Sequence, residues 1–503
     1  MAYYMGVDVG TSSLKTILTD EKGVVLAGCA KNYQFSSPCS GYAEQDPEEW
    51  WSAAVETIRA VLGETHLSGE QIEGIGFSGQ MHGLVPLGAD GKPVRRAILH
   101  CDARSTKQLA EITRTLGTQG VRDELMNPVF TGFLLPSLLW VRDEEPENYA
   151  KIEKVCLPKD YIKFRLTGEL TSDYSDAGAT LAFDLKNSCW NKRILKAFDL
   201  PEEWFPPCYD SYAAVGTVST AAAGQTGLST RTKVVAGGGD QVMQRLGNGA
   251  DDDTAATVNI GTSGQVCFQS AAPLLNPALN TNMFYGFDKN TWILYGAIMN
   301  AGLSLSWWRS IIRNKSYDAL NASVEKIPVG SRGLVFLPYL NGERTPHLNP
   351  NISGAFIGAN LDTTRACMSR AVMEGVTYAL YQCLEICRSL DLNADVLISS
   401  GGGSRSRVWR QIQADVFGIP LKVAQSEEQA CLGACICAAV GCGQYASVGQ
   451  ACRAMVRYHD WMVEPIAENH ERYQESYQLF KEIYASSGGV LEKAALMGRR
   501  YIE

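Results

Sequence analysis

The sequence lacks the patterns that would place the protein in a membrane, on nucleic acid or around a zinc ion. It contains no apolar run of about eighteen or more residues, which excludes a helix that spans a membrane. Lysine and arginine form no cluster and the net charge is −9, so we expect no nucleic-acid partner. The fifteen cysteines include no Cys-x-x-Cys pair. We therefore interpret them as reduced thiols in mostly apolar surroundings.

Two further signals are missing. The phosphate-binding pattern Gly-x-x-x-x-Gly-Lys-Ser/Thr does not occur, so any nucleotide must be held by another kind of loop. Residues 1–8 have no basic region or cleavage site and read as a strand, which leads us to expect a cytoplasmic protein. With 503 residues, 45% of them apolar, the chain is long enough for two large domains.

Two loops of nearly the same sequence lie about half a chain apart. Residues 8–13 read Asp-Val-Gly-Thr-Ser-Ser, and residues 259–264 read Asn-Ile-Gly-Thr-Ser-Gly. Each follows a short apolar run that predicts a strand. Glycine lets the backbone approach an anion, to which N–H groups and hydroxyls then donate. One such loop could be a plain turn, but two of them indicate related halves that hold one polyphosphate from opposite sides.

The order of predicted elements favours an α/β protein. A meander of short strands fills residues 4–26, and a helix follows from Pro47 to about Leu62, with Asp46 as its N-cap. A buried strand is predicted at 72–77.

The rest of the chain repeats this organisation after an interruption. The sequence pattern from about residue 104 to residue 207 predicts a largely helical insertion in the first half. The strand pattern restarts near Thr254, and a long helix is predicted at 364–389. We therefore predict two domains, residues 1–248 and residues 249–503.

Two aspartates stand where phosphate chemistry would need them. Asp8 ends a strand beside the first loop, where a carboxylate could order Mg²⁺ against phosphate oxygens or merely cap a turn. Asp240 follows three glycines at the predicted start of a helix. It could accept a proton from a sugar hydroxyl that attacks a γ-phosphate, or it could serve as a helix N-cap.

Other polar groups are open to two interpretations each. His82, in the segment Gln-Met-His-Gly at 80–83, could bind a polyol or be a structural histidine. Asp102 and Arg104 could face a cleft or pair with each other, and the same choice holds for Glu343 and Arg344. The glycines at 401–403 could receive a nucleotide at the following helix or form a tight turn.

Taken together, these segments resemble the FGGY carbohydrate kinases. The resemblance runs from Gly6 to about Gly443, with the blocks in family order. It is carried by the segments 6–12, 78–83, 159–177, 237–240, 336–347 and 401–411.

The resemblance implies an α/β fold of two actin-like, ribonuclease H-like domains related by duplication, with a cleft between them. It implies a kinase that uses ATP and Mg²⁺, a small sugar as the other substrate, no nucleic acid or membrane partner, and a homodimer as a common state. By resemblance, Asp240 is the catalytic base and Asp8 serves the metal. Sugar contacts are expected from Gln80, Met81, His82, Asp102 and Asp240, and nucleotide contacts from Thr11, Ser12, Gly261, Thr262, Gly302, Gly402 and Ser406.

The choice of sugar rests on fewer residues. Met81 and His82 stand where family members that act on glycerol have an Arg-Glu pair. The glycine at position 83 resembles the sequence of members that act on D-xylulose rather than that of members that act on gluconate. We therefore expect phosphorylation of the terminal hydroxyl of D-xylulose. His100 and Ser137 depart from that pattern, so another ketopentose, a polyol or gluconate stays open. A non-catalytic, actin-like ATP-binding module is the alternative of a different class.

Overall fold

A sheet of seven strands forms the centre of the first half in this computed structural model, which describes residues 2–314 and 316–500. Its strands are β1 (Tyr3–Val9), β2 (Ser13–Asp20), β3 (Val25–Asn32), β4 (Ile72–Gly79), β5 (Ala214–Thr217), β6 (Lys233–Val235) and β7 (Gly238–Gly239). They are ordered β5-β6-β4-β1-β2-β3, with β7 also paired to β4. The predicted meander at the start of the chain is confirmed, since β1, β2 and β3 are antiparallel neighbours.

Helix α1 (Pro47–Thr65) covers this sheet through apolar residues at helical spacing. Trp50, Ala54, Ile58 and Val61 are fully buried on one side of the helix. The predicted start is confirmed, because the Asp46 carboxylate accepts a hydrogen bond from Glu48 N as the N-cap.

Residues 104–207 add helices and short strands beside the first sheet. The longer helices are α2 (Thr106–Gly120), α3 (Leu134–Glu144) and α4 (Pro158–Thr167). Shorter helices lie at Pro146–Tyr149, Tyr174–Gly178 and Lys192–Ala197, and another, Thr220–Thr226, lies after this segment. The half ends with helix α5 (Asp240–Gly247), which starts directly after β7.

The second half contains a sheet of six strands. They are β8 (Ala255–Ile260), β9 (Gly264–Ser270), β10 (Asn282–Tyr285), β11 (Trp292–Ile298), β12 (Val396–Ser400) and β13 (Leu421–Lys422). The order β11-β9-β8-β12-β13 repeats the order β3-β2-β1-β4-β6 of the first sheet. The strand directions also agree, since β8 is antiparallel to β9 and parallel to β12, as β1 is to β2 and β4. The duplication predicted from the two loops is confirmed.

Helices surround the second sheet and extend beyond it. They are α6 (Gly302–Ile311), α7 (Tyr317–Val324), α8 (Arg365–Arg388), α9 (Arg407–Phe417), α10 (Gln429–Gly441), α11 (Val448–Met455) and α12 (Ala467–Arg500). The long helix predicted at 364–389 is α8, with Thr364 as its N-cap. In the described part of the chain, no helix is long and apolar enough to cross a membrane.

Helix α10 belongs to the second half in sequence but packs on the sheet of the first. A Cβ added to Gly6 in β1 would lie 2.1 Å from the carbonyl oxygen of Cys431, and one added to Gly76 in β4 would lie 2.1 Å from that of Ala434. On the other side of α10, a Cβ on Gly433 would lie 1.9 Å from Met243 O in α5. Backbone therefore touches backbone on both sides of the helix, which only glycine permits.

The many cysteines fit this close packing. The structure leaves all fifteen as free thiols, and Cys431, Cys435 and Cys437 are buried in α10. Cys435 Sγ donates to Tyr4 O of β1 at 3.6 Å. They act as small apolar residues, as the sequence predicts.

Candidate active site

Three strands of the first sheet end side by side and bring the two expected aspartates to one edge. Asp8 of β1 lies opposite Ser78 of β4, and Gly238 of β7 lies opposite Ser78 on the other side. Ser78 Oγ donates a hydrogen bond of 2.6 Å to Asp8 Oδ1. Asp240 follows two residues after Gly238, so both carboxylates face the region beyond this edge.

Asp240 is the first residue of α5, and Gly239 is the N-cap. The alternative that Asp240 serves as the N-cap is therefore wrong. The glycines before it also form a short strand, since Gly238 and Gly239 pair with β4, although consecutive glycines favour neither strand nor helix.

Burial raises the pKa of Asp240 to about 7, and the negative charge of Asp8 adds to this effect. The pKa of Asp8 is raised as well, mainly by burial, while the Ser78 hydrogen bond and the charge of Lys15 oppose the shift. A carboxylate with a pKa near 7 is able to take up a proton in a neutral solution, as a general base must.

Hydrogen bonds from the amide side chains of Gln45 and Gln80 hold the first loop in position. Thr11 Oγ1 donates to Gln80 Oε1 at 3.2 Å, and Gln45 Nε2 donates to Thr11 O at 2.7 Å. Gln80 Nε2 donates in turn to Gln45 Oε1 at 3.2 Å. Gln80 therefore orients the loop that carries Thr11 and Ser12, and its expected contact with a sugar stays a prediction.

Met81 packs beside Asp240, and His82 follows Met81 in the segment where the resemblance places the sugar. A Cβ added to Gly239 would lie 2.7 Å from Met81 Cγ, so the methionine packs directly against the residue before Asp240. The His82 ring lies between aromatic residues, with its centroid 4.0 Å from that of Phe133 and 5.4 Å from that of Phe284. Phe284 belongs to the second half, so both halves build this wall.

The contacts of His82 fix its protonation state. Its Nδ1 lies 2.7 Å from Ala179 O, and a carbonyl accepts only, so Nδ1 carries the proton. Burial lowers the pKa of His82 to about 3, with smaller contributions from His100 and Arg344. The neutral ring therefore presents Nε2 as a hydrogen-bond acceptor.

A cavity of about 570 Å³ lies next to the second loop. Five of the expected nucleotide residues line it together: Gly261, Thr262, Gly302, Gly402 and Ser406. Gly302 N donates to Gly261 O at 2.7 Å, which fixes the start of α6 against the loop. Ser406 is the N-cap of α9, and its hydroxyl also donates to Asn321 Oδ1 at 3.0 Å.

The same cavity contains side chains that the sequence patterns did not single out. Tyr317 and Asn321 of α7, Leu303 of α6 and Trp409 of α9 line it. Their apolar and amide groups suit the flat ring and edge of an adenine base. No loop motif marks α7, which reaches the cavity through contacts such as the hydrogen bond between Asn321 and Ser406.

Both halves of the chain match one family. Residues 3–247 match the N-terminal domain of the FGGY family of carbohydrate kinases, and residues 256–442 match its C-terminal domain. This chain belongs to the FGGY carbohydrate kinases. It is an ATP-dependent enzyme that phosphorylates a sugar hydroxyl, and the duplicated α/β fold is the actin-like fold implied by the resemblance.

Relatives in the FGGY family extend over the whole chain. The xylulose kinase of Staphylococcus epidermidis is 36% identical over 481 residues, which are 95% of this chain and 96% of that protein. The ligand-bound structure of xylulose kinase from Lactobacillus acidophilus has a TM-score of 0.92 at 26% identity and covers 98% of this chain and 100% of its own. The gluconate kinase of the same organism has an equal TM-score of 0.92, also at 26% identity, and covers 98% and 99%.

Asp102, the remaining expected sugar contact, lies in a buried ion pair. Arg104 Nη2 lies 2.7 Å from Asp102 Oδ2, and Ala43 N donates to the same oxygen at 2.6 Å. Arg104 also pairs with Glu44 at 2.7 Å and covers the ring of Tyr42. The two residues thus pair with each other, which was one of the two interpretations, and the sugar contact of Asp102 stays a prediction.

His100 and Arg344 lie near His82. Burial and the charge of Arg344 lower the pKa of His100 to about 4. The Glu343 carboxylate accepts from Met299 N and Arg344 N, each at 2.7 Å, and the Arg344 side chain is exposed. Ser137, the other departure, is buried in α3 with its hydroxyl unpaired within the described residues.

Proposed function

We propose that the protein transfers the γ-phosphate of ATP to the terminal hydroxyl of D-xylulose, giving D-xylulose 5-phosphate. The observation that carries this proposal is the close contact of Met81 with Gly239, the residue before Asp240, together with the acceptor nitrogen of the neighbouring His82. The xylulose kinase from Staphylococcus epidermidis, similar over almost the full length, supports the same substrate.

Asp240 serves as the general base in this proposal. It takes the proton from the sugar hydroxyl as that oxygen attacks the γ-phosphorus, and the bond to the β-phosphate oxygen breaks. The pKa of about 7 suits this role, because a base is most efficient when its pKa lies near the working pH.

Met81 and His82 orient the sugar. His82 Nε2 accepts a hydrogen bond from a sugar hydroxyl, while the Nδ1 bond to Ala179 holds the ring in place. The Met81 side chain packs against the carbon face of the sugar. Such positioning counts for several kcal/mol in group transfer, of the order of 7–11 for well-aligned reactants.

Mg²⁺ fits the carboxylates at the strand edge. Asp8 offers an oxygen ligand, and burial raises its pKa, so a nearby cation would favour its ionised form. Among the described residues no group of three or more metal-binding side chains occurs, as expected for an ion held also by phosphates and water. When bound, Mg²⁺ neutralises charge on the phosphates of ATP.

Water is excluded by closure of the two halves over the substrates. The nucleotide cavity is lined by second-half residues, while Asp240 and Met81 belong to the first. Closure brings the γ-phosphate to the sugar and removes water, which would otherwise compete as the acceptor. A homodimer and a cytoplasmic location stay predictions.

Gluconate is the second candidate substrate. The gluconate kinase of Lactobacillus acidophilus matches this fold as well as the xylulose kinase of that organism does, so the backbone does not separate the two. The exposed side chain of Arg344 lies near His82 and His100, where its positive charge suits a substrate with a carboxylate.

The test is ADP release with Mg·ATP and a panel of D-xylulose, L-xylulose, D-ribulose, L-ribulose, xylitol, gluconate and glycerol. We expect D-xylulose to give the highest kcat/KM. Selective turnover of gluconate would replace the proposed substrate and keep the kinase. ATP binding without turnover of any of these compounds would point to a sugar outside the panel. Glycerol is the matched negative control, because Met81 and His82 stand where glycerol-specific members have Arg-Glu.

A further inference from the structure

Five ionisable side chains form a buried cluster behind the glycine segment that carries Asp240. They are Lys159, Asp160, Lys163, Asp173 and Asp176, and each is 0% exposed. We call this group the charge cluster. Because buried charges are costly unless they are paired, and because a buried ion pair often adds little stability, the charge cluster needs a role other than stability.

The members of the charge cluster interlock. Lys159 Nζ lies 2.6 Å from Asp160 Oδ1 and from Asp173 Oδ1, and 3.0 Å from Asp176 Oδ2. Lys163 Nζ lies 3.0 Å from Asp160 Oδ1. The lysines belong to α4, and Asp173 and Asp176 belong to the segment that follows it. A network of this kind leaves each side chain few other positions and is therefore rigid.

The charge cluster is linked by hydrogen bonds to both ends of residues 236–239. Lys163 Nζ donates to Ala236 O at 3.0 Å. At the other end, Gly239 N donates to Ser175 Oγ at 2.9 Å, and Ser175 Oγ in turn donates to Asp173 Oδ2. Ser175 N donates to the same carboxylate at 2.8 Å. The residue immediately before Asp240 is thus tied to a charged, fully buried carboxylate through one hydroxyl.

The charge cluster and Ser175 pack closely against the glycines of β4 and β7. A Cβ added to Gly238 would lie 3.0 Å from Ser175 Oγ, and one added to Gly79 in β4 would lie 2.8 Å from Lys159 Cβ. The charge cluster therefore touches the backbone of β4 and β7 where these strands run to the active-site edge.

We infer that the charge cluster is a positioning device for Asp240, which acts on the base through Ser175 and Lys163. The inference rests on the proposed role of Asp240 as the general base. Glycines alone would leave the segment mobile, and the cluster supplies the rigidity that they lack. Since a displacement of about 1 Å can cost on the order of 10²-fold in rate, the hold on Gly239 sets kcat.

The test compares Ser175→Ala with Ser172→Ala. Ser172 is also 0% exposed, and its hydroxyl donates to Asp160 Oδ2 at 2.7 Å, so it joins the same cluster on the side away from Gly239. We expect kcat of Ser175→Ala to fall by about 10- to 100-fold, with KM for sugar and ATP changed by less than about twofold. Ser172→Ala should keep kcat, and both variants should lose a similar amount of thermal stability.

The inference is overturned if Ser175→Ala keeps the kcat of Ser172→Ala, or if its loss lies wholly in KM. If Ser175→Ala does not accumulate as folded protein, Ser175→Cys replaces it. Sulfur is a weaker acceptor, so kcat should again fall while KM holds, and an unchanged kcat would count against the inference. Asp240→Asn separates the two proposals. Normal turnover of Asp240→Asn would show that Asp240 is not the general base. Loss of turnover in Asp240→Asn together with a normal kcat in Ser175→Ala would leave Asp240 as the base and refute only the positioning role of the charge cluster.

Discussion

The two loops that resemble each other differ in charge at their first position, Asp8 in one and Asn259 in the other. Asp8 and Asn259 occupy the same place in the duplicated sheets, since Asp8 lies opposite Ser78 and Asn259 lies opposite Ser400. In the first half, the serine hydroxyl donates to a carboxylate. In the second half, Asn259 Nδ2 donates to Gln244 at 2.9 Å, and the Ser400 hydroxyl has no hydrogen-bond partner in the described ranges.

The difference shows how a duplicated backbone comes to perform two tasks. Among the described residues, the strand edge holds the carboxylates of Asp8 and Asp240 in the first half and Asn259 at the matching position in the second, and the charge of Asp8 adds to the raised pKa of Asp240. The second half presents Gly261 and Thr262 of its loop to the cavity, and the charged residues in the lining are Asp318 and Arg405, one of each sign. A second set of carboxylates facing a triphosphate would repel it. We infer that acid–base chemistry belongs to the first half and nucleotide binding to the second.

The largest effect should come from removing the charge that makes the first half distinct. Asp240→Asn leaves shape and sugar contacts in place but takes away the base, so kcat should fall on the order of 10²–10⁴-fold while the sugar still binds. ADP-release kinetics and sugar titration by calorimetry measure the two quantities. Turnover near that of the unchanged enzyme would refute the role of Asp240.

Making the first loop like the second is the next largest change. Asp8→Asn should lower kcat on the order of 10²-fold and raise the Mg²⁺ concentration that gives half-maximal rate, because a charged oxygen is lost. Magnesium titrations of the initial rate measure both. An unchanged Mg²⁺ requirement would show that Asp8 does not serve the metal.

The reverse change, Asn259→Asp, makes the second loop like the first. It places a carboxylate beside the nucleotide cavity, so KM for ATP should rise roughly tenfold through repulsion. The sugar KM, measured in the same assays, should hold. If the KM for ATP is instead the same as that of the unchanged enzyme, the charge difference between the loops does not affect ATP binding.

The pH dependence of the rate tests the elevated pKa of the first half. Asp240 must be ionised to act, and its pKa is raised to about 7, so the active form is present above pH 7 and is lost below it. kcat/KM for the sugar, measured at low ATP concentration, should fall about fivefold between pH 7 and pH 6 and about tenfold per pH unit below that. The pKa values of His82 and His100, about 3 and about 4, lie too low to cause this limb. A limb near pH 4 would mean that Asp240 has an ordinary pKa.

The smallest expected effect concerns nucleotide binding in the second half. A Cβ on Gly402 would meet only Ile260 O, at 3.9 Å, so Gly402→Val folds and narrows the cavity. KM for ATP should rise about fivefold with kcat and sugar KM unchanged, as for a loss of uniform binding. Gly63→Ala is the control, because nothing lies within 4 Å of its added Cβ in α1. Equal kinetics in the two variants would take Gly402 out of the nucleotide site.

Local patterns were sufficient for the parts of the site that are local. The turn residues around Gly10 and Gly261 follow strands whose apolar alternation is visible in the sequence. The cap at Asp46 precedes a proline at the first helical position, as such caps often do. Gly402 and Ser406 could be predicted to share a site because a strand, a glycine turn and a helix follow one another there.

Contacts between distant segments could not be read in this way. Asp102 and Arg104 are two residues apart, but their choice between pairing and facing the cleft depends on Ala43 and Glu44, which lie some sixty positions earlier. The charges of Lys159 and Lys163 gave no sign of burial, because helical spacing alone does not tell which face of α4 meets the sheet. Phe284 closes the wall behind His82 from the other half of the chain.

The position of α10 has a consequence for how the protein is made. Tyr4 accepts a hydrogen bond from Cys435, which is 431 positions later in the chain. During synthesis from the amino terminus, one face of the first sheet therefore stays bare until nearly the whole polypeptide has left the ribosome. The glycines in β1 and β4 that admit the helix offer no side chains to cover that face in the meantime. Strands β1 and β4 are thus synthesised long before the helix that covers them, and we expect these exposed strands to depend on chaperones until α10 has been made.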